Sequence, residues 1–340
     1  MARKTFITRL NGMARVSTAQ IAQQLVSEVG RELGTYDMAV YRYPVEYDSE
    51  MELVKRLDGI IAGVGHGDHI IFQYPTWNDR IFDEYFLRQI RQFPDVQVTI
   101  FVHDVVGLMW SENIPYVLEE IYHIFNKADS LILPSKHMHE RLLKEGLSST
   151  IPVTYQEIWN HRASLVLNDI EKSNYKKVHF AGEVTKFKFV QKWTEMISLD
   201  IYCWESIEEL PDMVKNNGWK DDTELLLTLS KGGWGLVWSE NDGVSNYFRY
   251  CNSFKQGLYL AAGIPLIIPK GISNEHLIIE NGLGIAVESL SEAVEIINSM
   301  TFEEYEQMVK RVREFSSLIR EADFTRRALI NCKFDVRHVK

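Results

Sequence analysis

Apolar residues in the first half of the chain come in short blocks, TFITRL, MAVYRY, HIIFQY, VTIFVH, SLILP and PVTYQ. Longer segments lie between them: STAQIAQQLVSEVGREL, SEMELVKRLDGIIAGV, DEYFLRQIRQF, IPYVLEEIYHIF and SKHMHERLLKEGL. In these, apolar positions recur every three or four residues. The blocks predict strands and the intervals predict amphipathic helices. HIIFQY and TIFVH are apolar almost throughout rather than alternating, as expected of strands covered by helices on both faces. An open, mainly parallel sheet with crossover helices follows.

The polar stretch NHRASLVLNDIEKSNYKK breaks this rhythm and marks a domain boundary. The pattern then restarts, with strands VHFAG, LDIYCW, GLVW and PLIIP. The helices there are DTELLLTLSKG, NSFKQGLYLAAG, SNEHLIIENG and LSEAVEIINSM. The expected division is an N-terminal domain over 1–165 and a C-terminal domain over 166–318. Residues 319–340 are expected to form a helical tail packing back across the junction. The fold class is α/β, with two doubly wound, Rossmann-like domains facing across a cleft. Ligands of such sheets bind at the carboxyl ends of the strands.

Composition narrows the class. A chain of 340 residues is long for one core and suits two domains. The 45% hydrophobic content fills two cores and argues against disorder. A net charge of −10 argues against a nucleic-acid partner. Cys203, Cys251 and Cys332 are odd in number and widely spaced, which suits a reducing compartment. MARKTFITRLNG reads as a first strand rather than a leader, and LYLAAGIPLII is too short for a membrane span. A cytoplasmic location is expected.

Candidate chemistry clusters after strands. Gly12 opens the turn after the first strand, and Ser17 or Thr18 can cap the next helix, whose free amides suit an anion or a sugar hydroxyl. Only one glycine is present, so this is not the dinucleotide fingerprint; capping alone explains it equally. His103 and Asp104 end a buried strand, where either can take a proton from an acceptor hydroxyl or hold a sugar. The plainer reading is an Asp capping a loop with a His packed beside it. Gly182 repeats the strand–glycine–loop layout, followed by Lys186 and Lys188.

CNSFKQGLYLAAGIPLIIP is the sharpest signal. Gly257, Ala261, Ala262 and Gly263 make a thin helix, Pro265 leads the next strand, and Asn252 or Ser253 can cap the helix. Lys255 falls in the first turn, where a cation opposes the helix dipole. A bound diphosphate reverses that balance. Trp219 offers a face for a flat base, and Ser273, Asn274 and Glu275 stand at another helix start, fit for hydroxyls or for capping. Metal sites are not expected: His66 with His69, and His137 with His139, lack a third ligand, and there is no HExxH, DxD, P-loop or GxSxG.

Taken in order, NGMARVSTAQ, RLDGIIAGVGHGD, IIFQYPTWN, FVHDVVGLM, NKADSLILPS, HFAGEVTKF, GGWGLVW, CNSFKQGLYLAAGIPLII and IENGLG resemble a known family along nearly the whole chain. They look like the bacterial accessory glucosyltransferases that extend O-linked GlcNAc on serine-rich repeat adhesins. The resemblance implies a GT-B fold, a UDP-sugar donor and no metal cofactor. It implies that Thr18 approaches the donor, that Lys186 contacts the UDP moiety and that Trp219 lies near the nucleotide. Asn252 and Lys255 would form the Asn-x-x-Lys helix start at the diphosphate, with Ser253 and Phe254 where Pro-His is frequent. Glucose would pass from UDP-glucose, held by the C-terminal nucleotide-sugar-binding domain, to the GlcNAc of a modified serine-rich protein on the N-terminal acceptor side. An inverting route would need a base, for which Asp104 is the choice over His103. A retaining route could use the leaving phosphate and leave Asp104 an orienting role. Lys255, Lys186 and helix amides would stabilise the leaving diphosphate. A homo-oligomer is expected from the family. The alternatives are another donor, UDP-GlcNAc or UDP-galactofuranose, or a non-catalytic partner protein that keeps the fold.

Overall fold

In the computed structural model the described residues form twelve strands in two all-parallel sheets. Ten lie at the apolar blocks, and two short ones, at Val214–Asn216 and Gly284–Val287, lie outside them. Residues 3–109, 114–205, 207 and 209–338 are described, except for the side chains of 114, 242, 244 and 333–338. The chain divides into two compact units, one running to Gln156 and resuming at Thr325, the other Glu157–Phe324. Residues 157–165, expected with the first domain, thus fall in the second unit. Trp159 and Asn160 are buried there, and the side-chain amide of Asn160 donates to the carbonyls of Leu318 and Ile319.

The first unit holds β1 (Thr5–Asn11), β2 (Tyr36–Tyr41), β3 (His69–Tyr74), β4 (Gln97–Val102), β5 (Ser130–Leu133) and β6 (Val153–Tyr155) in the order β2-β1-β3-β4-β5-β6. Its helices are α1 (Thr18–Glu32), α2 (Glu50–Ile61), α3 (Arg80–Ile90), α4 (Val106–Met109), α5 (Ile114–His123) and α6 (Lys136–Lys144). HIIFQY is buried at every position, as its unbroken apolar run requires. Polar termination is local: Ser17 caps α1, and Ser49 with Glu52 forms a capping box on α2.

The second unit holds β7 (Val178–Ala181), β8 (Leu199–Tyr202), β9 (Val214–Asn216), β10 (Trp234–Leu236), β11 (Leu266–Pro269) and β12 (Gly284–Val287), ordered β12-β11-β10-β7-β8-β9. Its helices are α7 (Asp222–Leu229), α8 (Asp242–Tyr247), α9 (Phe254–Ala261), α10 (Glu275–Glu280), α11 (Leu290–Ser299) and α12 (Phe302–Arg320). The chain closes with α13 (Asp323–His338), most of which belongs to the first unit. The thin helix behaves as its small residues predict. A Cβ on Gly257 would come within 2.3 Å of the Trp159 carbonyl oxygen, and one on Gly235 within 2.2 Å of the Tyr259 ring. Strand order reverses between β1 and β3 in the first sheet and between β7 and β10 in the second. Ligand sites of open α/β sheets lie at such points.

Candidate functional site

In the second unit the sequence-predicted lysines converge just past β7. The Lys255 ammonium lies 4.4 Å from the Phe187 ring centroid and 5.5 Å from that of Phe180, and the Lys186 ammonium is 5.7 Å from Phe187. Gly182 makes room for them: a Cβ there would stand 3.0 Å from Lys255 Cε. Burial, then repulsion from Lys186, pushes the Lys255 amine down to about 8, with Glu183 opposing the shift. Ser253 caps α9 by accepting from the Lys255 N–H at 3.4 Å. Two cations near one aromatic ring, beside a glycine and a helix start, could meet a doubly charged anion. Lys188 begins a short 3-10 turn nearby and is exposed.

The amide candidates sit together under this helix. Asn252, Ser273 and Asn274 are all buried. The Ser273 hydroxyl donates to Asn252 Oδ1 at 2.6 Å, and Asn274 exchanges hydrogen bonds with Gln256 at 2.8 and 3.1 Å while donating to the Glu157 carbonyl. These side chains cross-link the segment before α9 to the one before α10, and so fix where Lys255 starts its helix. Glu275 turns back to accept from the Gly271 N–H.

Trp219 lies past β9 and is 44% exposed; Trp204, which the sequence reading passed over, lies past β8 and is 66% exposed. Their rings stack at 4.2 Å with 17° between planes. In sequence Trp204 ends the predicted strand LDIYCW, and nothing local sets it apart.

The first unit gathers a different set at its carboxyl end. Thr18 opens α1 behind the Ser17 cap and is exposed. His103 is buried, stacked on Phe101 at 5.1 Å, with Nε2 2.8 Å from Gln73 Oε1. The Gln73 amide nitrogen donates to the Gln23 carbonyl at 2.9 Å, so its oxygen faces His103 and the ring carries its proton on Nε2. Burial holds this imidazole down at about 3, hence neutral. Asp104 is half-buried at the loop between β4 and α4. Two further acids, unremarked in the sequence, lie close by: Asp83, pushed by burial up to about 8 although Thr76 Oγ1 donates to it at 2.5 Å, and Glu120, pushed by burial up to about 7.

The paired histidines have ordinary partners: His66 faces Asp95 at 3.0 Å, His69 bonds Thr99 at 2.8 Å and His139 bonds Tyr155 at 2.8 Å. Among the described residues no group of three or more His, Cys, Asp or Glu is placed to hold a metal ion, and no helix is long and apolar enough to cross a membrane.

Comparison with known proteins covers both units. Residues 4–158 match the family described as glucosyltransferase 3-like, N-terminal domain, and residues 178–332 match glucosyltransferase 3-like, C-terminal domain. Glucosyltransferase 3 of Streptococcus gordonii is 41% identical over 98% of this chain and 99% of its own length. Glucosyltransferase 3 of Streptococcus parasanguinis is 39% identical over 97% and 98%. Among solved structures, Anabaena Alr3699/HepE in complex with UDP and glucose superposes with a TM-score of 0.65 at 10% identity, covering 98% of this chain and all of that one.

Proposed function

This chain belongs to the glucosyltransferase 3-like family, and from that premise we propose how its two units divide a glucosyl transfer. It is a UDP-sugar-dependent glycosyltransferase with the GT-B arrangement of two Rossmann-like domains. The donor is UDP-glucose and the acceptor is the GlcNAc of a serine-rich repeat protein. The observation that carries the division is the pair Lys255 and Lys186 over Phe187, beside Gly182.

We assign the diphosphate to that pair. A diphosphate removes the repulsion between the lysines and restores the charge that burial disfavours. When the bond from the anomeric carbon to the phosphate oxygen breaks, negative charge grows where the two ammoniums and the α9 amides stand. Asn252, Ser273 and Asn274 act mainly by fixing that helix start, and Trp219 offers its outer face to the base. On the first unit, Thr18 offers a hydroxyl to the sugar nucleotide. Asp104, rather than His103, meets the acceptor hydroxyl and takes its proton in an inverting course. A neutral imidazole whose Nε2–H donates to Gln73 and whose conjugate acid lies near 3 is a poor base at neutral pH, so His103 orients. We place the reaction in the cytoplasm, where UDP-sugars are made and the three free cysteines stay reduced.

Calorimetric titration with UDP in EDTA tests the assignment. Wild type is expected to bind, and Lys255→Ala to bind about 100-fold more weakly, in line with loss of a charge-assisted contact. Binding unaffected by Lys255→Ala would show the diphosphate to lie elsewhere; no binding to wild type would remove the donor site altogether.

A further inference from the structure

One carboxylate at the carboxyl end of the first sheet has no part in the scheme above. Glu120, on α5, has no exposed surface. Its Oε1 accepts from the Tyr74 hydroxyl at 2.7 Å and the Val106 N–H at 2.9 Å, and its Oε2 accepts from the Gly107 N–H at 2.9 Å. These donors belong to two strand exits. Tyr74 closes β3, and its carbonyl accepts the His103 N–H at 2.8 Å. Val106 and Gly107 open α4, immediately past Asp104 and Val105. The carboxylate and the Tyr74 carbonyl therefore hold the chain on both sides of Asp104.

Gly107 shows how closely the loop is seated. A Cβ there would meet the Val117 backbone nitrogen at 2.5 Å and Glu120 Oε2 at 2.9 Å, so α4 lies flush against α5. A buried acid is a poor choice for stability alone, because an apolar contact would hold two helices together without the desolvation it suffers. Its hydrogen bonds converge instead on the short loop that carries Asp104. Small displacements of a group that meets a reacting atom cost turnover steeply.

We propose that Glu120 is a positioning residue for the transfer step, clamping Val106, Gly107 and Tyr74 so that Asp104 meets the acceptor hydroxyl in a fixed place. This rests on the reading of Asp104 given above.

The test is a double-variant cycle. Glucose transfer from UDP-glucose to a GlcNAc-bearing serine peptide is followed for wild type, Asp104→Asn, Glu120→Gln and the pair, with the UDP Kd measured for each. Glu120→Gln is expected to lower kcat roughly 10- to 100-fold while the UDP Kd and donor KM stay within about twofold. The pair is expected to be no slower than Asp104→Asn alone, since Glu120 acts through Asp104. Unchanged kcat in Glu120→Gln overturns the proposal, as do additive losses in the pair. A fall in kcat, UDP affinity and thermal midpoint together also overturns it, by reducing Glu120 to a folding role. Tyr74→Phe, which removes one donor and keeps the carboxylate, gives a separate reading should Glu120→Gln fold poorly. Its kcat is expected to drop about 3- to 10-fold at constant UDP affinity, and full activity overturns the clamp. Full turnover by Asp104→Asn removes the underlying reading and the proposal with it; an inactive Asp104→Asn beside a fully active Glu120→Gln removes the proposal alone.

Discussion

The carboxyl ends of the two sheets carry opposite kinds of hindered charge. Past β7 burial pushes a lysine down, Lys255 to about 8; past β3 and β4 burial pushes acids up, Asp83 to about 8 and Glu120 to about 7. In each case the surroundings disfavour the ion. The remedies differ. The acids are met from within, by Thr76 for Asp83 and by Tyr74, Val106 and Gly107 for Glu120. Lys255 has two aromatic rings and a second cation beside it, with the exposed Glu183 as a counter-charge. Internal donors make a support for a loop, whereas a cation beside another cation makes a seat for an anion. On the division proposed above, the same topology would serve acceptor handling on one sheet and donor handling on the other.

The largest effect expected from this contrast is on stability. Asp83 has a folded value near 8 against an ordinary 3.8, so the folded state keeps a proton that the unfolded state releases. Stability then rises as pH falls from about 8 towards 4, by up to about 1.4 kcal/mol per pH unit. Asp83→Asn removes that dependence. At pH 8 it should be more stable than wild type by up to about 5 kcal/mol, and at pH 4.5 by only about 1 kcal/mol. Urea unfolding at the two pH values measures the difference. A wild type that is the more stable at pH 8 would mean that Asp83 is a stabilised anion, and the contrast between the sheets would fail.

A smaller effect is expected on donor affinity. Lys255 must be charged to meet a diphosphate, and Lys186 and Glu183 are the charged groups acting on it. UDP affinity should hold steady up to pH 8 and then fall as pH rises, by at most about tenfold per pH unit. Lys255→Arg, charged throughout this range, should flatten the fall. Calorimetry between pH 7 and 9.5 reads this directly. A wild-type affinity flat to pH 9.5 would place the diphosphate on other donors.

How much of this was legible follows from how local each signal is. HIIFQY and VTIFVH announce their burial by composition alone. By contrast β9 and β12, of three and four residues at the sheet edges, carry too little periodicity to stand out. Lys255 and Gly182 could be picked because a cation in a helix's first turn, or a glycine after a strand, is odd on local grounds. Glu120 could not. In IPYVLEEIYHIF it is one polar residue beside Glu119, and its burial and its bonds to Tyr74, Val106 and Gly107 come from tertiary packing. Asn252, Ser273 and Asn274 were chosen for the right residue types at helix starts. That Ser273 bonds Asn252 across 21 positions, and Asn274 bonds Gln256 across 18, is set by tertiary packing.

The smallest effect concerns the base. Trp204 and Trp219 already cover one face of each other at 4.2 Å, so a nucleobase meets an outer face rather than a slot between them. Stacking on an exposed ring contributes less than a charge-assisted contact to a diphosphate. Trp219→Ala should therefore weaken UDP about 3- to 10-fold, Trp219→Phe should recover most of that, and inorganic pyrophosphate should bind both variants like wild type. Competition titrations with UDP and pyrophosphate separate the contributions. If Trp219→Ala weakens both ligands alike, the tryptophan pair supports the fold of the β8 and β9 loops instead, and the donor site reads phosphate without reading the base.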